Sequence, residues 1–233
     1  MPPLRVTRKT PMHIILIADD SGSMQEDQAF EHANRGIREW LLELQLQSKA
    51  QKDHFWTSVI VFGSRVRIEG EALRLHDIDP EFAPIQGRSG STDMAAALAC
   101  AREILDRNPP KATDCPPWIF LYTDGQADDE HKALREAKAL KETNLACGPP
   151  IIVTIGFRDA RADFLQQVAT RPEYYLPCPD SDQLANMIPE VGTLVVKGTI
   201  DEAKQKLKEK SSQAPPPRSP PPHRAEPDDN GFV

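Results

Sequence analysis

MHIILIADDSGSM, residues 12–24, joins a nearly unbroken apolar run to two aspartates and a cluster of hydroxyls. A strand-length run without polar alternation reads as a β-strand buried on both faces, as in the middle of a parallel sheet. The run ends in turn chemistry, Asp-Ser-Gly-Ser, where glycine lets the backbone bend without a Cβ in the way. The same stretch also concentrates oxygen donors at one strand end, with Asp19, Ser21 and Ser23 at alternate positions. The rest of the chain decides between a plain turn and a site.

Outward from this stretch, apolar runs alternate with amphipathic segments. Phe30, Ala33, Ile37, Trp40, Leu41 and Leu44 fall at helical spacing, with Glu26 and Asp27 ahead of them, where a helix dipole favours acidic groups. Residues 57–62 (TSVIVF) read as a strand, and Gly63-Ser64 turns into 65–69 (RVRIE), whose alternation suits an edge strand of an antiparallel hairpin. Residues 70–91 read as irregular. A helix carrying Met94, Ala97, Leu98, Ala101, Ile104 and Leu105 comes next and stops at Pro109-Pro110. Buried strands are expected at 118–123 (WIFLYT) and 150–155 (PIIVTI), with helices over about 128–142 and 160–169. A short strand at 174–176 and a helix over 181–188 complete the pattern. This alternation predicts an α/β fold: a doubly wound, Rossmann-like, mostly parallel central sheet with one antiparallel edge strand and helices on both faces. In such sheets ligands bind beyond the carboxyl ends of the strands, where the strand order reverses.

The 233 residues, 39 % hydrophobic and 6 % aromatic, suit one domain with extensions. Residues 1–10 are expected to be flexible and 11–198 to form the domain. Thr199 and Glu202 have the spacing of a capping box, so a helix is expected over 199–210, ending in Lys204, Lys206, Lys208 and Lys210. The proline-rich tail, 211–233, is expected to be disordered. It reads as a linker, with a polyproline II ligand oriented by Arg218 as the alternative, and Ser211, Ser212 and Ser219 as hydroxyls open to a kinase.

No run approaches the roughly 18 apolar residues of a membrane span, and no secretory leader is evident, so a cytoplasmic protein is expected. The net charge is −7; residues 1–10 carry Arg5, Arg8 and Lys9, and 201–233 balance, which leaves −10 on 11–200. A body that acidic repels a phosphate backbone, which argues against nucleic acid as a partner. Cys100, Cys115, Cys147 and Cys178 are too scattered for a zinc or thiol-redox motif and read as reduced, mostly buried thiols.

Three segments are expected to meet at one sheet edge: Asp19-x-Ser21-x-Ser23, residues 90–93 (GSTD), and Thr123-Asp124-Gly125. They offer the carboxylates of Asp19 and Asp124 and the hydroxyls of Ser21, Ser23 and Thr92. An all-oxygen set of this kind suits a small hard cation, with water filling the remaining positions. With few protein charges around it, such an ion keeps positive character and a position open to an outside carboxylate.

DDSGSM, GST and YTDG, in this order and on these elements, resemble the metal-ion-dependent adhesion site (MIDAS) of von Willebrand factor type A (vWA) domains, over roughly residues 11–196. The resemblance implies Ser21, Ser23 and Thr92 as direct or near-direct ligands, and Asp19 and Asp124 as ligands directly or through water. It implies Mg²⁺, with Mn²⁺ or Ca²⁺ as alternatives, and a grip on an acidic residue of a partner protein. Asp20, Gly22, Met24, Ser91, Asp93 and Gly125 would form the rim that meets the partner. In size and layout the chain further resembles the bacterial TerY-like proteins of tellurite-resistance clusters, which implies a stress-response or signalling role beside a kinase or a phosphatase; an adaptor of an AAA+ ATPase complex is the alternative. Asp20 stands where the family often has a small or apolar residue; it is expected to point into solvent, with tuning of metal affinity by its charge as the alternative. Gly90-Ser91 stands where Gly-Gly is common. Asp93, Asp128 and Asp129 read as charges at helix N-termini.

The rival class is a metal-dependent phosphohydrolase or phosphoacceptor, since Asp19-Asp20 at a strand end is how some such sites begin. A haloacid-dehalogenase-type site needs an aspartate where Ser21 stands, and a response regulator needs a lysine where the fourth buried run ends in Gly156-Phe157-Arg158. Neither a Gly-x-Ser-x-Gly elbow nor a P-loop occurs, and no histidine neighbours Ser21 or Ser23 in sequence. A non-catalytic binding module is the expectation.

Overall fold

Met12–Asp19 forms strand β1 and is buried at every position, as an apolar run flanked by strands on both sides requires. The computed structural model describes residues 11–48, 55–79, 81–124, 127–158, 160–178 and 183. Beside β1 lie β2 (Phe55–Phe62), β3 (Val66–Arg74), β4 (Cys115–Thr123), β5 (Ile151–Phe157) and β6 (Tyr175–Cys178). They form one sheet in the order β3-β2-β1-β4-β5-β6, parallel throughout except for β3, which runs antiparallel to β2 at the edge. The helices are α1 (Ala29–Ser48), α2 (Met94–Arg107), α3 (Glu130–Lys141) and α4 (Ala162–Val168).

Alternation along β1 sorts its side chains into two cores. Ile14, Leu16 and Ala18 join Ala33, Ile37, Trp40 and Leu44 of α1, and Trp40 meets Phe120 edge-on with ring centroids 5.2 Å apart. Ile15 and Ile17 join Leu98 and Ala101 of α2, Ala137 and Leu140 of α3 and Phe164 of α4. Among the described residues, one helix therefore covers one face and three the other. This is the doubly wound, mostly parallel sheet with one antiparallel edge that the sequence predicts. The chain leaves β1 for β2 and β3, then crosses back to β4, so the carboxyl ends of β1 and β4 flank the point where strand order reverses.

Among the boundaries that differ from expectation, two have a local structural cause. β3 runs on to Arg74, through part of the stretch read as irregular. Its pairing with β2 shifts register twice near Val59, and Ala72 adopts φ +46°, so a bulge breaks the alternation by which a strand is recognised. Helix α1 begins only at Ala29, after a 3₁₀ turn over Gly22–Gln28 that ends in Gln28 at φ +55°. Glu26 sits in that turn and pairs with Arg158 at 3.2 Å rather than in the first turn of α1.

Of the thiols, Cys115 and Cys178 are buried, and Cys100 and Cys147 are half-buried. No helix among the described residues is long and apolar enough to cross a membrane. The expected flexible N-terminus 1–10, the helix 199–210 and the tail 211–233 lie outside the described residues, as does the helix over 181–188 apart from Gln183.

At the amino end of β1, His13 is buried with Nε2 2.9 Å from the Ser58 hydroxyl, and Ser58 also accepts the Ala72 N–H at 2.9 Å. Burial pushes the imidazole down to about 4, and the charge of Glu71 pulls it partly back. The unfolded chain binds this proton near pH 6.5 and the folded chain only near 4. His13 thus contributes stability that is complete above pH 6.5 and lost as pH falls towards 4, about 3 kcal/mol in all. Urea unfolding at pH 7 and pH 4.5 should show His13→Gln losing less stability on acidification than the wild type; equal losses would contradict this account.

Candidate metal centre

The register that sets Ala18 beside Tyr122 makes Asp19 and Thr123 neighbours at the ends of β1 and β4. Thr123 donates its hydroxyl to Asp19 Oδ2 at 2.7 Å, and the Ser21 N–H donates to Oδ1 at 2.8 Å. Both oxygens of this buried carboxylate are therefore held in place. Beyond it the Ser21 and Ser23 hydroxyls lie 2.9 Å apart, and Ser23 donates a short hydrogen bond to Asp124 Oδ2 across 101 positions of sequence. Asp19, Ser21, Ser23 and Asp124 thus form one connected patch.

Thr92 approaches from the other side of the switch point. Its N–H donates to Asp128 Oδ1 at 3.0 Å and its carbonyl accepts the Asp128 N–H at 3.1 Å, while the next N–H, from Asp93, donates to the Gly63 carbonyl at 3.0 Å. A single parallel bridge between Ser21 and Ser89 lays this loop along the Asp-Ser-Gly-Ser stretch. Thr92 is buried, and among the described residues its hydroxyl has no hydrogen-bond partner. The structure brings its segment to the patch without a hydrogen bond from its side chain to the other four groups.

Burial pushes the Asp19 carboxyl up to about 6; the hydrogen bond from Thr123 opposes this, the nearby charge of Asp124 adds to it, and the bonds from Ser21 oppose it again. Two carboxylates in one buried corner repel, and a cation between them would relieve that. The donors are oxygens only, and among the described residues no three His, Cys, Asp or Glu side chains gather, so hydroxyls would supply the larger share. That chemistry fits a small hard divalent ion and does not fit the nitrogen and sulfur ligation of a structural zinc site.

The expected rim needs correction at two positions. Asp20 does not point into solvent: it is 2 % exposed, accepts the N–H groups of Gln86 at 2.5 Å and Gly87 at 2.6 Å, and pairs with Arg67 at 3.0 Å. Two backbone donors and a guanidinium replace its hydration. Met24 is fully buried in the core beside α1 and offers no surface to a partner. Gly22 is exposed and Ser91 and Asp93 are half-buried, while Gly125 lies outside the described residues. Asp93 caps α2 through the Ala96 N–H and Asp129 caps α3 through the Lys132 N–H, as expected of helix N-terminal acids. Asp128 does more than that, since it anchors Thr92.

The sequence patterns do not single out Thr123 or Arg158. Thr123 stands in the quoted YTDG, and its place beside a buried aspartate becomes visible only with the β1–β4 register. Arg158, at φ +54° beyond β5, donates to the Ser23 carbonyl at 2.9 Å from 135 positions away, a contact for which no short-range signal exists.

Residues 14–126 match the family model described as the von Willebrand factor type A domain. The fold is a von Willebrand factor type A fold. Solved structures with this vWA fold include the proximal thread matrix protein 1 of the mussel byssus (20 % identity, TM-score 0.66, 81 % of this chain and 49 % of that one). A crystal form of the same mussel protein has a zinc-occupied MIDAS motif (18 % identity, TM-score 0.64, 81 % and 48 %). Manganese-loaded TRAP protein from Plasmodium vivax is similar at 19 % identity and TM-score 0.56, over 77 % of this chain and 72 % of that one. The pilus adhesin SpaC of Lactobacillus rhamnosus GG is similar at 14 % identity and TM-score 0.68, over 81 % and 31 %. The chain spans half or less of the mussel protein and of the adhesin. No curated protein matches it in sequence.

Close approach of two loops of the vWA fold holds the Thr92 segment. A Cβ added at Gly63 would collide with the Ser89 side chain and come within 3.3 Å of the Ser91 carbonyl. Gly63→Ala should therefore destabilise the protein by about 1–3 kcal/mol, read from the denaturant midpoint, because the clash is with a packed loop. An unchanged midpoint would mean that the loops do not meet.

Proposed function

We propose that this vWA domain is a non-catalytic, metal-dependent protein-binding module. Asp19, Ser21, Ser23, Thr92 and Asp124 would hold Mg²⁺, with Mn²⁺ or Ca²⁺ as alternatives. The ion, when bound, would supply an open coordination position to an aspartate or glutamate of a partner protein. The observation that carries this reading is the oxygen chain from Ser21 through Ser23 to Asp124, which joins two distant segments at the switch point. The manganese-loaded and zinc-occupied neighbours, which share the fold, support it.

The chain's own residues are arranged to hold rather than to react. Both oxygens of Asp19 are engaged by Thr123 and Ser21, which orients the carboxylate and leaves it poorly placed as a nucleophile. Asp124 orients the Ser23 hydroxyl in the same way. The acidic body disfavours nucleic acid and leaves a protein partner as the reading. By its likeness in size and layout to the TerY-like proteins, we place the module in the cytoplasm of a bacterial stress-response or signalling system, beside a kinase or a phosphatase, with an adaptor of an AAA+ ATPase complex as the alternative.

Titration of Mn²⁺ into the purified chain should give saturable binding that EDTA reverses. Asp19→Ala and Thr92→Ala should each weaken it about tenfold or more, with circular dichroism unchanged. Capture of a host protein should need Mg²⁺ and fail in both variants. Binding indifferent to chelator and to both substitutions would remove the mechanism, and steady hydrolysis of p-nitrophenyl phosphate that Asp19→Ala abolishes would make the protein an enzyme.

A further inference from the structure

Asp20 lies next to the proposed ligands, yet the hydrogen bonds of its carboxylate lead away from them. Its Oδ1 accepts the N–H groups of Gln86 at 2.5 Å and Gly87 at 2.6 Å, and its Oδ2 accepts from Arg67 Nη1 at 3.0 Å. Its backbone is tied as well: the N–H donates to the Phe62 carbonyl at 2.7 Å, and the carbonyl accepts the Ser89 N–H at 3.0 Å. Arg67 carries the contact further, with Nη2 donating to the Pro84 carbonyl at 3.2 Å. Between these points Asn34 of α1 brackets Ile85, accepting its N–H at 3.0 Å and donating to its carbonyl at 2.7 Å. Gly87 sits at φ +65°, where an added Cβ would lie 3.0 Å from Gln25.

Residues 84–87 have no helix or strand ladder of their own, so side chains must satisfy their backbone groups. Three do so: Asp20 from the end of β1, Arg67 from β3 and Asn34 from α1. The segment then passes through Ser89, bridged to Ser21, and on to Thr92.

We infer that Asp20, with Arg67 as its counter-ion, is a positioning residue: it clamps residues 84–92 to the end of β1 and so sets where the Thr92 hydroxyl is presented. The second half of that statement rests on the metal-binding reading proposed above; the clamp itself does not. Arg67 also answers the charge of Asp20, so this aspartate is engaged in holding a loop and not an ion.

Two measurements on the full chain test this. In EDTA, hydrogen exchange of Asp20→Ala should be at least about tenfold faster than wild type at the amides of 84–92, with β4 and β5 unchanged, and Arg67→Gln should shift the same amides less. Unchanged exchange over 84–92 would overturn the clamp whether or not metal binds. In Mn²⁺ titrations, Asp20→Ala should weaken affinity about tenfold in the wild type but less than about twofold in Thr92→Ala, because the group it positions is already gone. Equal losses in both backgrounds would overturn action through Thr92. Arg67→Lys should recover part of what Arg67→Gln loses. Should Asp20→Ala fail to fold, Arg67→Gln, altered at a partly exposed side chain, provides both readouts. A wild-type chain that binds no Mn²⁺ counts against the proposed function, and the exchange data still decide the clamp.

Discussion

β1 is buried along its whole length, so the chain that leaves it has to settle its polar groups against protein rather than water. The two aspartates at its end do this in opposite directions, because successive residues of an extended chain face opposite sides of the sheet. Asp19 continues the side of Ile15 and Ile17, towards the core under α2, α3 and α4, and meets Thr123 there. Asp20 continues the side of Leu16 and Ala18, towards the core under α1, and meets the 84–87 segment that Asn34 of α1 also holds. A slip of one residue in β1 would exchange the two aspartates and lose both arrangements, so the register of the central strand governs the site as well as the core.

The same geometry gives the pair different electrostatics. Asp20 has a guanidinium within 3.0 Å, as well as two backbone donors. Asp19 takes its hydrogen bonds from a hydroxyl and an amide, and it shares its corner with Asp124, so burial leaves its carboxyl raised to about 6. One aspartate is a structural tie paired with a guanidinium, and the other is held by a hydroxyl and an amide beside a second carboxylate.

How much of the molecule was legible in the sequence depended on how far each determinant reaches along the chain. The buried strands, the face of α1 and the stop of α2 at Pro109-Pro110 rest on local patterns, and these elements stand close to where expected. The proximity of Asp19, Ser21, Ser23 and Asp124 was legible because they sit at strand ends, where topology brings them together. The end of β3 was not, because a bulge at Ala72 breaks the alternation. Nor was the inward turn of Asp20, whose partners lie 47 and 66 residues further on at Arg67 and Gln86. A lone carboxylate in a turn-like sequence reads as hydrated until the groups that replace its water are seen.

Among the described residues β3 has a strand neighbour on one side only, and such an edge normally offers backbone groups to any extended chain that drifts past. Here the edge is kinked by the register shifts around Gly70 and Ala72. Glu71, in the kink, is fastened to the end of α2 by Arg107 at 2.9 and 3.0 Å and by Asn108 at 2.8 Å. An incoming strand would have to flatten the kink and pull Glu71 from those donors before a long ladder formed. Crowding many copies together therefore gives this flank little tendency to zip one sheet onto the next.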